Sequence, residues 1–438
     1  MKNYIYPNKE SWAEILKRPT LDLSDLEPMV NDVLNQIKNE GDKAVQRFTE
    51  KFDKVQLADF QVSKQEIAAA ESQVSDELKT AIKTAKANIT AFHAAQKSEV
   101  LEVETMPGVK CWRKSVPIQK VGLYIPGGTA PLFSTVLMLA VPANLAGCEE
   151  IVLCSPPQKD GKINPAILYT ANLCGVTKIY KIGGVQAIGA MAYGTETVPK
   201  VYKIFGPGNQ YVTVAKQLVS KSGMAIDMPA GPSEVLVVAD ETANPAFVAA
   251  DLLSQAEHGT DSQVVLVALA RPEASVTEQF IEQVQSEITQ QLAQLPRQEI
   301  AKKALENSVS IIASSKKEAI AIVNFYAPEH LIIATKNANE FAEKIINAGS
   351  IFIGNYTPEA VGDYASGTNH TLPTNGFATA FSGVSLDAFV KKITYQEITK
   401  VGIQNIGKTV ELMAEAEQLM AHKMAVTLRL ASIGTTYD

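Results

Sequence analysis

Cysteine is scarce, with four residues in 438 (Cys111, Cys148, Cys154 and Cys174), and these show neither CxxC spacing nor the density of a disulfide scaffold. That excludes a small disulfide-stapled secreted fold and points to a reducing cytoplasm. Cys148 and Cys154 flank the apolar run of residues 151–153, so they read as buried hydrophobes, and thiol catalysis is not expected. Long runs of Lys or Arg are also missing and the formal net charge is −7, which argues against nucleic acid or an anionic membrane as partner. The most apolar stretch, 131–147, is interrupted by Pro142 and Asn144, and the opening MKNYIYPNKE has no signal-peptide core. A membrane span is therefore not expected. Histidine is sparse and unevenly placed: of five, four (His258, His330, His370 and His422) fall after residue 250.

What is present is ample core material, 46% apolar against 20% charged residues, enough for two or three domains. Residues 1–21 read as an N-terminal arm, and 26–52 and 66–96 carry the period of long amphipathic helices that would cover a sheet. His93, in the second of these, reads as a surface or packing residue. From Val121 short apolar strands alternate with helices and Gly/Pro turns, the pattern of a parallel α/β sheet whose strand ends bind ligands. Gly206-Pro207-Gly208-Asn209 follows the expected strand 201–205 and precedes a helix, but Tyr211 replaces the third glycine of GxGxxG. The turn fits a cofactor loop or an ordinary strand-to-helix turn. Gly183-Gly184-Val185-Gln186 is a similar turn.

A second α/β block is expected from strands 234–238, 263–269, 310–313, 331–335 and 350–353. Within it, 244–259 reads as one complete helix, with Asn244 as N-cap, Pro245 at the first position and Gly259 beyond the end. Gln255 and His258, three apart, would share its face, either as the start of a metal site or as a capped helix end. The stretch 354–375, which carries Asp363 and His370, has no apolar period and reads as a long site-serving loop. In the helical end, Glu417 and His422 are five apart, about 140° around an unbroken helix. Either the helix breaks near Met420 or the two serve different groups. With Glu329-His330 at a strand lip, these pairs are all metal-ligand or acid/base types. By themselves they suit a zinc hydrolase as well as an oxidoreductase.

In order along the chain, YIPGGTAPLFSTVLMLAVPA, KIFGPGN, DMPAGPSEVLV, SQAEHG, YAPEHL, GDYASGTNHTLPT and AHKMAVTLR resemble the histidinol dehydrogenase family, from about residue 20 onward. The resemblance implies oxidation of L-histidinol through L-histidinaldehyde to L-histidine, with two NAD⁺ and one zinc ion per subunit, in a cytoplasmic homodimer with a shared site. It implies Gln255, His258, Asp363 and His422 as zinc ligands, His422 coming from the other subunit, and Glu329 and His330 as the acid/base pair. Tyr124, Gln186 and Asn209 would contact NAD. Ser233 and Glu417 would meet substrate beside Gln255, His258, His330, Asp363 and His422, with His370 a substrate or supporting residue and no ligand. The implied fold is α/β: two incomplete Rossmann-like domains, 22–123 with 234–380 and an inserted 124–233, followed by a helical dimerisation tail, 381–438, exchanged between subunits.

Overall fold

The apolar runs form two parallel sheets in the computed structural model, which describes residues 1–19, 25–127, 131–228, 231–271 and 274–434. One sheet has six strands in the order Lys2–Ile5, Val309–Ala313, Gln263–Leu269, Glu234–Ala239, His330–Ala334 and Ser350–Ile353. All its pairings are parallel. Its central strands have no alternation because helices cover both faces, and Val235, Leu236, Val237 and Val238 are fully buried. The other parallel sheet has five strands, ordered Lys178–Lys181, Glu150–Ser155, Lys120–Tyr124, Lys203–Phe205 and Ala225–Ile226. In the chain it lies wholly between the first strand of the six-stranded sheet and Glu234. The third sheet is antiparallel, with Val390–Ile398 paired to Val109–Pro117, and that strand paired to Leu101–Met106.

Three expectations are corrected. The N-terminal stretch is no loose arm: Lys2–Ile5 adds an edge strand beside Val309–Ala313, and Trp12 and Leu16 are buried behind it. Four residues are too few to show a period; the expected boundary at 21–22 falls outside the described residues. The two long helices are four. Gly41, at φ 58°, parts Glu27–Glu40 from Asp42–Phe48, and Ser75 caps Asp76–Ala94 after Lys64–Gln73 has ended. These helices flank the five-stranded sheet: Leu34 and Ile37 share a core with Ile188 and Val214, and Ile82 and Ile89 share one with Val136 and Leu139. His93 is buried, its Nδ1 2.9 Å from Ile89 O, and so is a packing residue. Finally, 354–375 contains a short helix, Glu359–Tyr364. Among the described residues no helix is long and apolar enough to cross a membrane.

Candidate active site

The helix Pro245–Ala256 starts as expected, with Asn244 Oδ1 accepting from Ala246 N–H at 2.9 Å. It ends earlier than expected: Ala256 is its last residue, and Gly259 does not adopt the left-handed conformation. His258 lies two residues past the helix, but its N–H still reaches Gln255 O at 3.2 Å, which keeps both side chains at one end. Gln255 is fully buried. With its amide nitrogen donating to Glu359 Oε1 at 2.8 Å, its oxygen accepts from Glu234 N–H at 3.0 Å and keeps a second lone pair. Burial lowers the pKa of His258, against the pull of Asp363, and favours a neutral imidazole.

Glu329 and His330 enter the six-stranded sheet between Glu234–Ala239 and Ser350–Ile353. The chain reaches them through Ala327, whose φ of 49° is left-handed, a strained conformation for a residue with a Cβ. Both side chains are buried, yet both face polar partners. Glu329 Oε2 accepts from Glu234 N–H at 2.9 Å, and His330 Nδ1 stands 3.3 Å from Glu234 O. A carbonyl only accepts, so Nδ1 carries the proton and Nε2 turns toward Asp363 Oδ1, 3.3 Å away. Burial raises Glu329 to about 8, countered in part by His330. Burial lowers His330, but Glu329, Asp363 and Glu359 outweigh it and raise the ring to about 10.

Asp363 and Glu359 sit four apart on the helix Glu359–Tyr364, and Glu359 Oε1 accepts from Ser254 Oγ at 2.9 Å. Burial raises Glu359, whereas the histidines hold Asp363 below its ordinary range against burial. His370 uses both ring nitrogens, Nδ1 at 2.9 Å from Asp363 O and Nε2 at 3.1 Å from Thr135 Oγ1. It is therefore a tie between the loop and the helix Phe133–Ala146.

The donor set fits a divalent cation. Apart from the 3.3 Å approach of His330 Nε2 to Asp363 Oδ1, these two atoms and Glu359 Oε2 are buried with no hydrogen-bond partner among the described residues. An amide oxygen, a neutral imidazole and a carboxylate are the donor types zinc accepts. Among the described residues no three His, Cys, Asp or Glu side chains surround one point. One chain offers His258 and Asp363 of those types, with Gln255 as the amide. Ser233, directly before Glu234 in the chain, is half-buried.

Glu417 and His422 are exposed and, among the described residues, make no hydrogen bond or ion pair with the cluster. The helix does break between them: Lys400–Ala416 ends, Gln418 turns left-handed at φ 62°, and Met420–Gly434 begins.

Tyr124, Gln186 and Asn209 lie at the carboxyl ends of three strands of the five-stranded sheet. Tyr124 Oη accepts from Gly184 N–H at 3.1 Å, and burial raises its pKa to about 12. Gln186 is buried and donates to Asp53 Oδ2 at 2.9 Å, leaving its oxygen unpartnered among the described residues. Asn209 Oδ1 caps the helix Gln210–Lys221 through Tyr211 and Val212 N–H. Gly206 is obligatory, because a Cβ there would meet Tyr124 O at 2.1 Å.

The residues that sequence reasoning missed are Glu359, Glu234, Arg18 and Asp53. Glu359 alone had a legible signal, its four-residue spacing from Asp363. Cys148 and Cys154 are buried free thiols with raised pKa values, as expected of hydrophobes, and Cys174 is a third.

The profile of the family described as histidinol dehydrogenase matches residues 16–430. A histidinol dehydrogenase from Bacteroides thetaiotaomicron is 61% identical over 99% of this chain and 100% of its own length. One from Yersinia pestis is 51% identical over 98% and 96%. The crystal structure of histidinol dehydrogenase from Elizabethkingia anophelis superposes with a TM-score of 0.96 at 57% identity, covering 99% of both chains. A match of this length and identity, over a chain that gathers Gln255, His258, Glu329, His330 and Asp363 at one end of its larger sheet, places the protein in the histidinol dehydrogenase family.

Proposed function

We propose that this oxidoreductase of histidine biosynthesis oxidises L-histidinol by way of L-histidinaldehyde to L-histidine, using zinc and two NAD⁺ in a cytoplasmic homodimer. The observation that carries the reading is the buried cluster of His330 Nε2 and Asp363 Oδ1, paired at 3.3 Å with no other hydrogen-bond partner among the described residues, beside Gln255 and His258. Gln255, His258 and Asp363 would hold zinc, with His422 of a second copy as the fourth ligand. Tyr124, Gln186 and Asn209 would hold NAD⁺. Zinc supplies a positive centre that fixes the substrate's nitrogens and makes proton uptake by His330 less favourable; NAD⁺ supplies the hydride acceptor.

The chain's own groups do the proton work. His330, held through Nδ1 by Glu234 O, would present Nε2 to take the alcohol proton as the carbon loses hydride, once a bound cation offsets the carboxylates that otherwise raise the ring to about 10. Oxidation of an aldehyde to an acid requires water to add first, and Glu329 is the base for that water. Burial gives its carboxyl a proton affinity far above an ordinary glutamate's, which suits it to accept the water's proton near neutral pH. Ser233 and Glu417 would contact substrate, Glu417 pairing with its cationic amine.

The test is the number of NADH formed per L-histidinol consumed, followed by absorbance before and after chelation. Two NADH, abolished by the chelator and restored by zinc, is the expected result. One NADH would limit the enzyme to the alcohol step, and turnover that survives metal removal would refute the zinc assignment.

A further inference from the structure

The backbone of Glu234 touches both members of the acid/base pair. Its N–H lies 2.9 Å from Glu329 Oε2 and 3.0 Å from the Gln255 amide oxygen, and its carbonyl is 3.3 Å from His330 Nδ1. The N–H and the carbonyl on either side of one Cα, in two successive peptide planes, thereby orient both side chains, and the carbonyl fixes which ring nitrogen of His330 keeps its proton. The side chain of Glu234 points the other way, into a separate buried network. Arg18, from the N-terminal stretch, grips both carboxylate oxygens, through Nε to Oε2 and through Nη2 to Oε1 at 3.0 Å. The guanidinium stacks 3.9 Å above the Tyr326 ring, and Tyr326 Oη lies 3.2 Å from Glu234 Oε2 and 3.0 Å from Gln263 Oε1. Gln263 in turn donates to Lys17 O at 3.0 Å and Asn307 O at 2.9 Å. Tyr326 also ends the helix Lys316–Tyr326, directly before the left-handed Ala327 that leads to Glu329.

We infer that Arg18 and Glu234 are positioning residues for catalysis: the N-terminal stretch locks Glu234 in place, and the backbone N–H and carbonyl of Glu234 aim Glu329 and His330. The inference rests on the acid/base reading of those two residues. A two-point guanidinium fork sets the angle of a carboxylate as well as its position, which an ammonium does not, so the lock requires arginine. A sub-ångström shift of the Glu234 backbone moves both catalytic groups together. Misplacement on that scale lowers turnover without weakening substrate binding.

The experiment uses the full-length zinc-loaded protein and measures kcat, KM for histidinol, KM for NAD⁺ and the unfolding temperature. Arg18→Met is expected to lower kcat by about 10- to 100-fold, with both KM values within about twofold of native. Arg18→Lys should recover part of the loss. The double variant Arg18→Met/Glu234→Gln removes the stranded buried carboxylate, so it keeps the fold intact and should still show the kcat defect. In a Glu329→Gln background, Arg18→Met should cost less than in the native one, because one of the two groups it positions is already gone. Native kcat in Arg18→Met, or an equal fold-loss in both backgrounds, would overturn the proposal alone. Native kcat in Glu329→Gln would overturn the acid/base reading and the proposal with it.

Discussion

Asp53 is a carboxyl group carried far from its ordinary range. Its side chain accepts from Gln186 Nε2 at 2.9 Å in a partly buried position, and burial raises its pKa from 3.8 to about 6 against that hydrogen bond. A folded-state pKa above the unfolded one means that the folded protein holds a proton the unfolded chain releases. This contribution to stability is complete below pH 3.8 and is lost as pH rises through about 6. Asp53→Asn, which cannot ionise, should therefore gain stability relative to native protein across that window and hold a constant difference above it. Urea unfolding at a series of pH values measures this. A difference that does not change with pH would mean that Asp53 is not perturbed. Residues of this kind explain the limits of sequence reading. Gln255 and His258 at an apolar helix end, Glu329 and His330 at a strand lip, and Asp363 in a loop with no apolar period stand out in the sequence because a polar group in such a place needs a reason; their separate roles come from the family resemblance. Asp53, Glu234 and Arg18 look like ordinary surface charges until folding brings residues 216 positions apart, Arg18 and Glu234, into one ion pair.

At the level of elements, the Gly206–Asn209 turn shows how a short motif becomes rigid. Lys216 Nζ donates to Gly206 O at 2.8 Å, Asp227 Oδ2 accepts from Gly206 N–H at 2.8 Å, and Lys216 and Asp227 form an ion pair. Both charged side chains are buried. Lys216→Met leaves Asp227 uncompensated and should cost about 3–5 kcal/mol by chemical denaturation. If the turn serves NAD⁺, the same variant should raise KM for NAD⁺ several-fold more than KM for histidinol; equal changes would separate the turn from cofactor binding. The strands were legible because helices covering both faces leave uninterrupted apolar runs, as in Glu234–Ala239 and Gln263–Leu269. Less legible were interruptions set by single residues. Gly41 splits one apolar period into two helices, and Gln418 adopts a left-handed conformation that its side chain does not announce. The helix in 354–375 is six residues long, less than two full turns of pattern.

For the whole molecule, the decisive arrangement is that of the last fifty residues. Val390–Ile398 ties them to Val109–Pro117, and the helices Lys400–Ala416 and Met420–Gly434 pack on each other, with Gly407 against Leu430. What they leave uncovered is apolar: Val401, Leu412, Met413, Met420, Met424 and Leu428 are each more than half exposed. A surface of that kind calls for a partner, and a second copy of the chain would both cover it and carry His422 to Gln255, His258 and Asp363. Each site would then draw on two chains, a property that mixing can detect. His258→Ala and His422→Ala proteins should each be inactive alone. After equal mixing and subunit exchange, half of the dimers pair one of each, and in those dimers one site has both defects and the other has none. Recovery should approach about a quarter of native activity. No recovery, in a sample where exchange is confirmed with differently tagged chains, would place all the zinc ligands in one chain and leave His422 without the role proposed for it.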